Sequence, residues 1–284
     1  MKGEAMKPII AVIYDFDGTL TPGSMQDYTV LPQVGIKGAD FWRELETQMR
    51  KTGGDSTLTY MRMILEKAHK AGVPLTRAMF AKPAKNIKYF KGVKSHFHRL
   101  NRYIKSKMPA AEIRHYITSG GIKEIIQGTS IFKNFYNVFA CEYYYNRQGK
   151  AVFPNIVVND TNKTQYIFRI NKGKEKQGES INEHMDEKIR PIPFKNMIYI
   201  GDGLTDVPSM TVVRGAGGYA VAVYAPGDKK GYKVCRQLLK AGRADLMAEA
   251  DYSEGSKLTA LINMLADKII ADVKYRFEAE KQRE

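Results

Sequence analysis

One segment constrains this chain more than any other: Ala11-Val12-Ile13-Tyr14-Asp15-Phe16-Asp17-Gly18-Thr19-Leu20-Thr21. An apolar run ends abruptly in two carboxylates one residue apart, followed by a glycine and two hydroxyls. The isoleucine, valine and tyrosine suit a buried strand, and Gly18 suits a turn. In an extended backbone, residues i and i+2 face the same side. Asp15 and Asp17 are therefore expected to project together at a strand's end. Such a pair can hold a hard divalent cation, or divide the work of nucleophile and general acid/base. Alone, the same residues would also serve as a turn with a capping aspartate. The rest of the chain bears on which reading holds.

Strand-like and helical segments alternate along the 284 residues. A strand is expected over Ile113 to Thr118, ending in Ser119-Gly120-Gly121, and another over Met197 to Ile200, ending in Gly201-Asp202-Gly203. Val138 to Tyr145 and Ala151 to Val158 read as two strands joined by a turn, and Tyr219 to Tyr224 as a further strand. Helices are expected over Phe41 to Lys51, from Ser56 as N-cap to Gly72, and from about Leu75 to Phe90 with Pro83 interrupting. Further helices are read at Val93 to Ile104, Ile122 to Phe132, from near Thr161, and at Ser256 to Arg283. Residues 171–190 are polar and charged, an insertion or flexible loop. The pattern predicts an α/β fold: a three-layer, Rossmann-like core with a mainly parallel sheet. In open parallel sheets ligands bind beyond the carboxyl ends of the strands. The loops at Asp15, Ser119 and Asp202 converge there if their strands are neighbours.

Composition excludes some classes. Cys141 and Cys235 supply neither a disulfide framework nor a paired zinc motif, which points to a reducing, cytoplasmic setting. The apolar run from Pro8 to Tyr14 is too short and ends in acid, so a signal peptide is not expected. No apolar stretch approaches the ~18 residues of a membrane span. The net charge of +15 suggests an anionic partner. Nine Lys/Arg and no acid lie between Lys82 and Lys107. The lysines at 82, 85, 88, 91 and 94 trace a spiral on a helix and not a stripe, as on a solvated surface. His96, His98 and His115 lack telling metal-ligand spacings and read as structural or surface groups.

For a phosphate ester, transfer needs an in-line nucleophile, neutralised oxygens and a protonated leaving group. Asp15 can supply the nucleophile. Its charge repels a phosphate dianion, so a cation is required. Mg²⁺ accepts two or three protein oxygens and keeps waters. Asp15 and Asp202 are the natural side-chain donors, with the Asp17 carbonyl a candidate third. Asp17 is then free to move protons, while Ser119 and the amides after it, including that of Gly120, can donate to the phosphate.

Asp15-Phe16-Asp17-Gly18-Thr19-Leu20-Thr21 resembles the first motif of haloacid dehalogenase superfamily phosphatases. Thr118-Ser119-Gly120 resembles the second motif, and Gly201-Asp202-Gly203-Leu204-Thr205-Asp206 the fourth, in the same order. The resemblance implies an aspartyl-phosphate mechanism, Mg²⁺ dependence and a helical cap between the first two motifs. The core would comprise residues 1–23 and 89–284, the cap 24–88. Asp15 would be the nucleophile and Asp17 the acid/base. The metal site would draw on Asp15, Asp17 and Asp202, with Asp206 binding the ion or orienting its shell. An aspartate at position 17 matches the phosphatases, since the dehalogenase branch lacks that second acid.

The third motif is a lone lysine. Lys163 is the choice, although it precedes Asp202 by 39 residues, a long interval that the polar 171–190 segment would explain. Lys172, Lys174 and Lys176 compete. The expected function is a Mg²⁺-dependent phosphomonoester hydrolase acting on a phosphorylated small molecule. Phosphoryl transfer to another acceptor, as in a mutase, is the alternative on the same core. A basic nucleic-acid-binding or regulatory protein, or a phosphatase of nucleic-acid ends, is the alternative from charge. Trp42, Arg43, Arg62 and Lys85 are the cap's candidates for facing substrate.

Overall fold

The computed structural model describes residues 7–283; residues 1–6 and 284, counted with the core from sequence, lie outside them. Seven strands form one sheet: β1 (Ile9–Tyr14), β2 (Glu112–Ile122), β3 (Asn137–Tyr145), β4 (Ala151–Ile156), β5 (Met197–Gly201), β6 (Tyr219–Tyr224) and β7 (Leu246–Glu249). Their order is β4-β3-β2-β1-β5-β6-β7. Only β4 runs antiparallel, as a hairpin partner of β3. β1 is central, and all six of its residues are buried, as expected of a parallel strand covered on both faces.

Six α-helices lie between β1 and β2, and the first five form a helical insertion: α1 (Met25–Tyr28), α2 (Val30–Gln33), α3 (Gly38–Thr52), α4 (Ser56–Lys70) and α5 (Arg77–Ala81). This helical insertion stands in the position of a cap. It is followed by α6 (Val93–Lys107). The remaining helices are α7 (Lys123–Gln127), α8 (Lys163–Lys172), α9 (Val207–Gly215), α10 (Lys229–Lys240) and α11 (Lys257–Lys281). α6 and α11 pack together on the sheet, and α8 and α9 form a second pair. The result is the mainly parallel α/β architecture expected from the alternating pattern.

Some local expectations need correction. Asp55, not Ser56, caps α4: its carboxylate accepts from the Leu58 amide at 2.8 Å. The helix expected to reach Phe132 stops at Gln127, because Gly128 packs its backbone against Ala81 and the chain turns there. Residues 171 and 172 close α8, and the rest of the 171–190 segment is a largely irregular loop that Arg169 organises. The Arg169 guanidinium, on α8, donates to the carbonyls of Lys174, Lys176, Gln177 and Glu179. α9, α10 and β7 were not anticipated.

The histidines divide as their burial dictates. The Tyr14 hydroxyl lies 3.0 Å from His96 Nε2 and 3.1 Å from His115 Nδ1, and His115 Nε2 lies 2.8 Å from Asn101 Oδ1. His96 and His115 thus satisfy a buried tyrosine beneath the strand that bears Asp15, while His98 is exposed. The lysines at 82, 85, 88, 91 and 94 are all exposed. Among the described residues, no helix is long and apolar enough to cross a membrane.

Candidate active site

Register brings the three loops together. Tyr14 pairs with Ile117 of β2 on one side and with Ile200 of β5 on the other. The Asp15 amide continues the ladder, donating to the Ile200 carbonyl at 2.9 Å. Asp15, Ser119 and Asp202 therefore emerge from adjacent strands at the same edge. Strand order reverses between β1 and β5, the crevice where ligands of open α/β sheets bind. Gly18 closes the first loop with φ +78°, and a side chain there would collide with the Asp202 carboxylate.

Asp15, Asp202 and Asp206 each offer an oxygen within 4.8 Å of the others. Lys163, at the start of α8, reaches into this group. Its Nζ lies 2.8 Å from Asp15 Oδ1 and 2.8 Å from Asp206 Oδ1, with all three side chains buried. Lys172 and Lys174 turn elsewhere: the first donates to the carbonyls of Ile181 and Glu183, the second to the Glu183 carboxylate. Of the competing lysines, Lys163 is the one in contact with Asp15.

The two aspartates of the fourth loop differ in what they still have to offer. Asp206 is fully buried, and both its oxygens are engaged. Oδ1 accepts from Lys163 and from the Tyr199 hydroxyl at 2.8 Å. Oδ2 accepts from the amides of Asp202 at 3.1 Å and Gly203 at 3.5 Å. Asp206 thus shapes the loop that presents Asp202, whose side chain points toward Gly18.

Asp17 stands apart from the three-carboxylate group. Its Oδ1 accepts from the Met25 amide at 2.9 Å and from the Thr21 hydroxyl at 3.5 Å. The Asp17 carboxylate, expected from sequence among the metal residues, is not one of the three grouped carboxylates, and its Oδ1 is turned toward the helical insertion. The Ser119 hydroxyl is buried and accepts from the Gly121 amide at 3.0 Å. The Ile122 amide is directed at Met25 Sδ, 3.3 Å away.

Electrostatics set the character of the site. Burial raises Asp15 to about 6, against the pull of the Lys163 ammonium. Burial, then the Asp206 and Asp15 charges, push Asp202 well above the usual carboxylate range. Loss of solvent, then the Asp15 charge, do the same to Asp17, opposed by the Met25 amide. Burial alone would lower Lys163, but Asp15 and Asp206 hold it well above an ordinary lysine.

Three carboxylates around one ammonium leave an excess of negative charge. Two unit charges about 4 Å apart repel by roughly 4 kcal/mol at an effective dielectric of ~20. The donor set is all oxygen and partly desolvated, which fits a hard divalent cation. Asp15 and Asp202 are the residues with oxygens to give, and Asp206 and Lys163 hold them.

The cap candidates named from sequence are exposed or engaged with other side chains. Arg43 pairs with Asp40 and Arg62 with Glu66, all largely exposed. Lys85 is exposed, and the Trp42 indole donates to Asp27 Oδ1 at 2.9 Å. The insertion residues that do meet the second loop are Met25 and Tyr60. Neither is singled out from sequence, and nothing in one sequence separates such a tyrosine from its neighbours in the core.

Comparison with known proteins agrees with this arrangement. A family model described as haloacid dehalogenase-like hydrolase matches residues 12–211. A protein of Borreliella burgdorferi, described as uncharacterized, is 31% identical, over 93% of this chain and 98% of its own. A phospho-aspartyl intermediate analogue of phosphoserine phosphatase matches with a TM-score of 0.54 at 16% identity, covering 91% of this chain and 99% of that one. A probable phosphoserine phosphatase from Vibrio cholerae, in unliganded form, matches with a TM-score of 0.57 at 13% identity, covering 94% and 68%. At such identities the likeness is one of fold.

Proposed function

The chain belongs to the haloacid dehalogenase-like hydrolases, and from that premise we propose that it is a Mg²⁺-dependent phosphomonoester hydrolase working through an aspartyl-phosphate on Asp15. The observation that carries this reading is the meeting of Asp15, Lys163, Asp202 and Asp206 at one sheet edge, with Asp17 beside them but outside the group. The phosphoserine phosphatases it resembles in fold support a phosphoryl group as the one transferred.

Asp15 attacks phosphorus in line, forming an oxygen–phosphorus bond as the ester bond to the leaving oxygen breaks. Lys163 fixes the Asp15 carboxylate and offsets its charge during approach. Asp17, whose affinity for a proton is raised by burial and by the Asp15 charge, gives its proton to the leaving oxygen. In the second half, the Asp17 carboxylate takes a proton from water as that water attacks phosphorus and frees Asp15. The Ser119 hydroxyl, which accepts from the Gly121 amide, keeps its own proton to donate to a phosphoryl oxygen. Mg²⁺ held by Asp15 and Asp202 would offset carboxylate charge and polarise the phosphoryl group.

The test is release of inorganic phosphate from an aryl phosphate in the presence and absence of Mg²⁺. Metal-dependent release that Asp15→Asn abolishes is expected. Full release by Asp15→Asn, or none by the wild type across phosphorylated metabolites, contradicts the reading.

A further inference from the structure

Tyr60 lies in α4 of the helical insertion, 60 residues before Gly120 near the end of β2, yet its hydroxyl donates to the Gly120 carbonyl at 2.6 Å. The side chain is buried, with its ring edge-on to Trp42. Cys141 Sγ, on β3, approaches the same carbonyl at 3.3 Å. The carbonyl of Gly120 and the amide of Gly121 belong to one peptide unit, which is planar and turns as a rigid body. The amide end of that unit donates to Ser119 Oγ at 3.0 Å. One plane therefore joins the Tyr60 hydroxyl on the insertion to the Ser119 hydroxyl at the site.

The neighbouring contacts bear on the same unit. Met25 packs over Gly121 so closely that no side chain fits there, and its sulfur faces the Ile122 amide. Elsewhere on α4 and at its N-cap, the Tyr143 hydroxyl donates to the Met61 carbonyl at 2.9 Å, and Asn159 Nδ2 to Asp55 Oδ2 at 3.0 Å. These contacts seat the insertion, but Tyr60 is the contact that grips the peptide carrying the Ser119 partner.

We infer that Tyr60 is a positioning residue: by fixing the Gly120–Gly121 peptide it aims the Ser119 hydroxyl at the substrate phosphoryl group, so that this donor is in place only when the insertion is seated. The inference rests on the phosphatase reading for what Ser119 addresses; the mechanical link does not.

The experiment is a double-mutant cycle on the full chain with Mg²⁺ and an aryl phosphate, using Tyr60→Phe, Ser119→Ala and both together. Tyr60→Phe removes one oxygen and leaves the ring, and the Gly120 carbonyl keeps its Cys141 neighbour. Losing one neutral hydrogen bond should lower kcat/KM about fivefold. In the Ser119→Ala background the same change should cost less than about twofold, because its route is already cut. Equal costs in both backgrounds overturn the inference. Hydrogen exchange of the Gly121 amide, read without substrate, separates this outcome from failure of the phosphatase reading. Faster exchange in Tyr60→Phe, with β1 amides unchanged, supports the link even if the wild type releases no phosphate; unchanged exchange at Gly121 overturns it.

Discussion

Lys163 Nζ is equidistant, at 2.8 Å, from Asp15 Oδ1 and Asp206 Oδ1, and thereby ties the end of β1 to the loop after β5 from the first residue of α8. All three side chains are buried. One ammonium serves two carboxylates, so its removal leaves both buried and unpaired. Breaking such a pair costs about 3–5 kcal/mol. Lys163→Met is expected to lose that much stability in urea unfolding, and to lose phosphate release as well. Lys163→Arg should not restore it, because a planar fork does not fit the place of a point charge. Wild-type unfolding by Lys163→Met would remove the contact from any account of the site.

Asp206 and Asp202 should separate in metal binding. Asp206 has both oxygens committed to Lys163, Tyr199 and two amides. Asp206→Asn is expected to weaken Mg²⁺ binding by roughly 10–100-fold, the usual cost of losing a group that orients a ligand. Asp202→Asn removes a donor outright and should weaken it further. Calorimetric titration of each variant with Mg²⁺ checks the order, and an equal or stronger effect at Asp206 would reverse the assignment.

Asp17→Asn should leave Mg²⁺ affinity near that of the wild type, because its carboxylate faces the Met25 amide and not the three-carboxylate group. Its kcat should fall by about 10²–10⁴ if it moves the proton in both half-reactions. Titration and steady-state kinetics on the same preparation decide this. A large loss of metal affinity in Asp17→Asn would return that side chain to the metal site.

Acid should destabilise the fold through the pair beneath Tyr14. Burial, then the charge of His98, lowers His115 to about 3. An unfolded histidine titrates near 6.5. Between these values the unfolded chain holds a proton that the folded chain lacks, so stability falls as pH falls below about 6.5. From pH 7 to pH 5 the cost from His115 is about 2 kcal/mol. His115→Gln should flatten the dependence of unfolding free energy on pH by about that amount. An equally steep profile in the variant would show that other groups carry the acid sensitivity.

Much of this was legible in the chain itself because it is written locally. Asp15-Phe16-Asp17-Gly18 combines strand, turn and chemistry in four residues, and the parallel direction of β2, β1 and β5 follows from strands alternating with helices, whereas their adjacency comes from the structure. The lysine was harder. The contact of Lys163 with Asp15 spans 148 positions, and only the placement of α8 brings Lys163 there and not Lys172 or Lys174. The commitment of Asp206 to four donors, and the turn of Asp17 toward Met25, depend on side-chain directions that spacing does not encode. Tyr60 and Met25 were invisible for a related reason. They lie at buried positions of helices, where an aromatic or a methionine is ordinarily packing. Asp55 displaced Ser56 as the cap because both residue types favour that position and stand side by side.

The most direct test is to trap the covalent intermediate. The full chain, mixed with Mg²⁺ and an aryl phosphate and quenched in acid, should carry one phosphoryl group on the peptide containing Asp15. The adduct should be cleaved by hydroxylamine, as an acyl phosphate is, and should be absent from Asp15→Asn. An adduct on another residue, or phosphate release that Asp15→Asn retains in full, would contradict the assignment of Asp15 as the nucleophile.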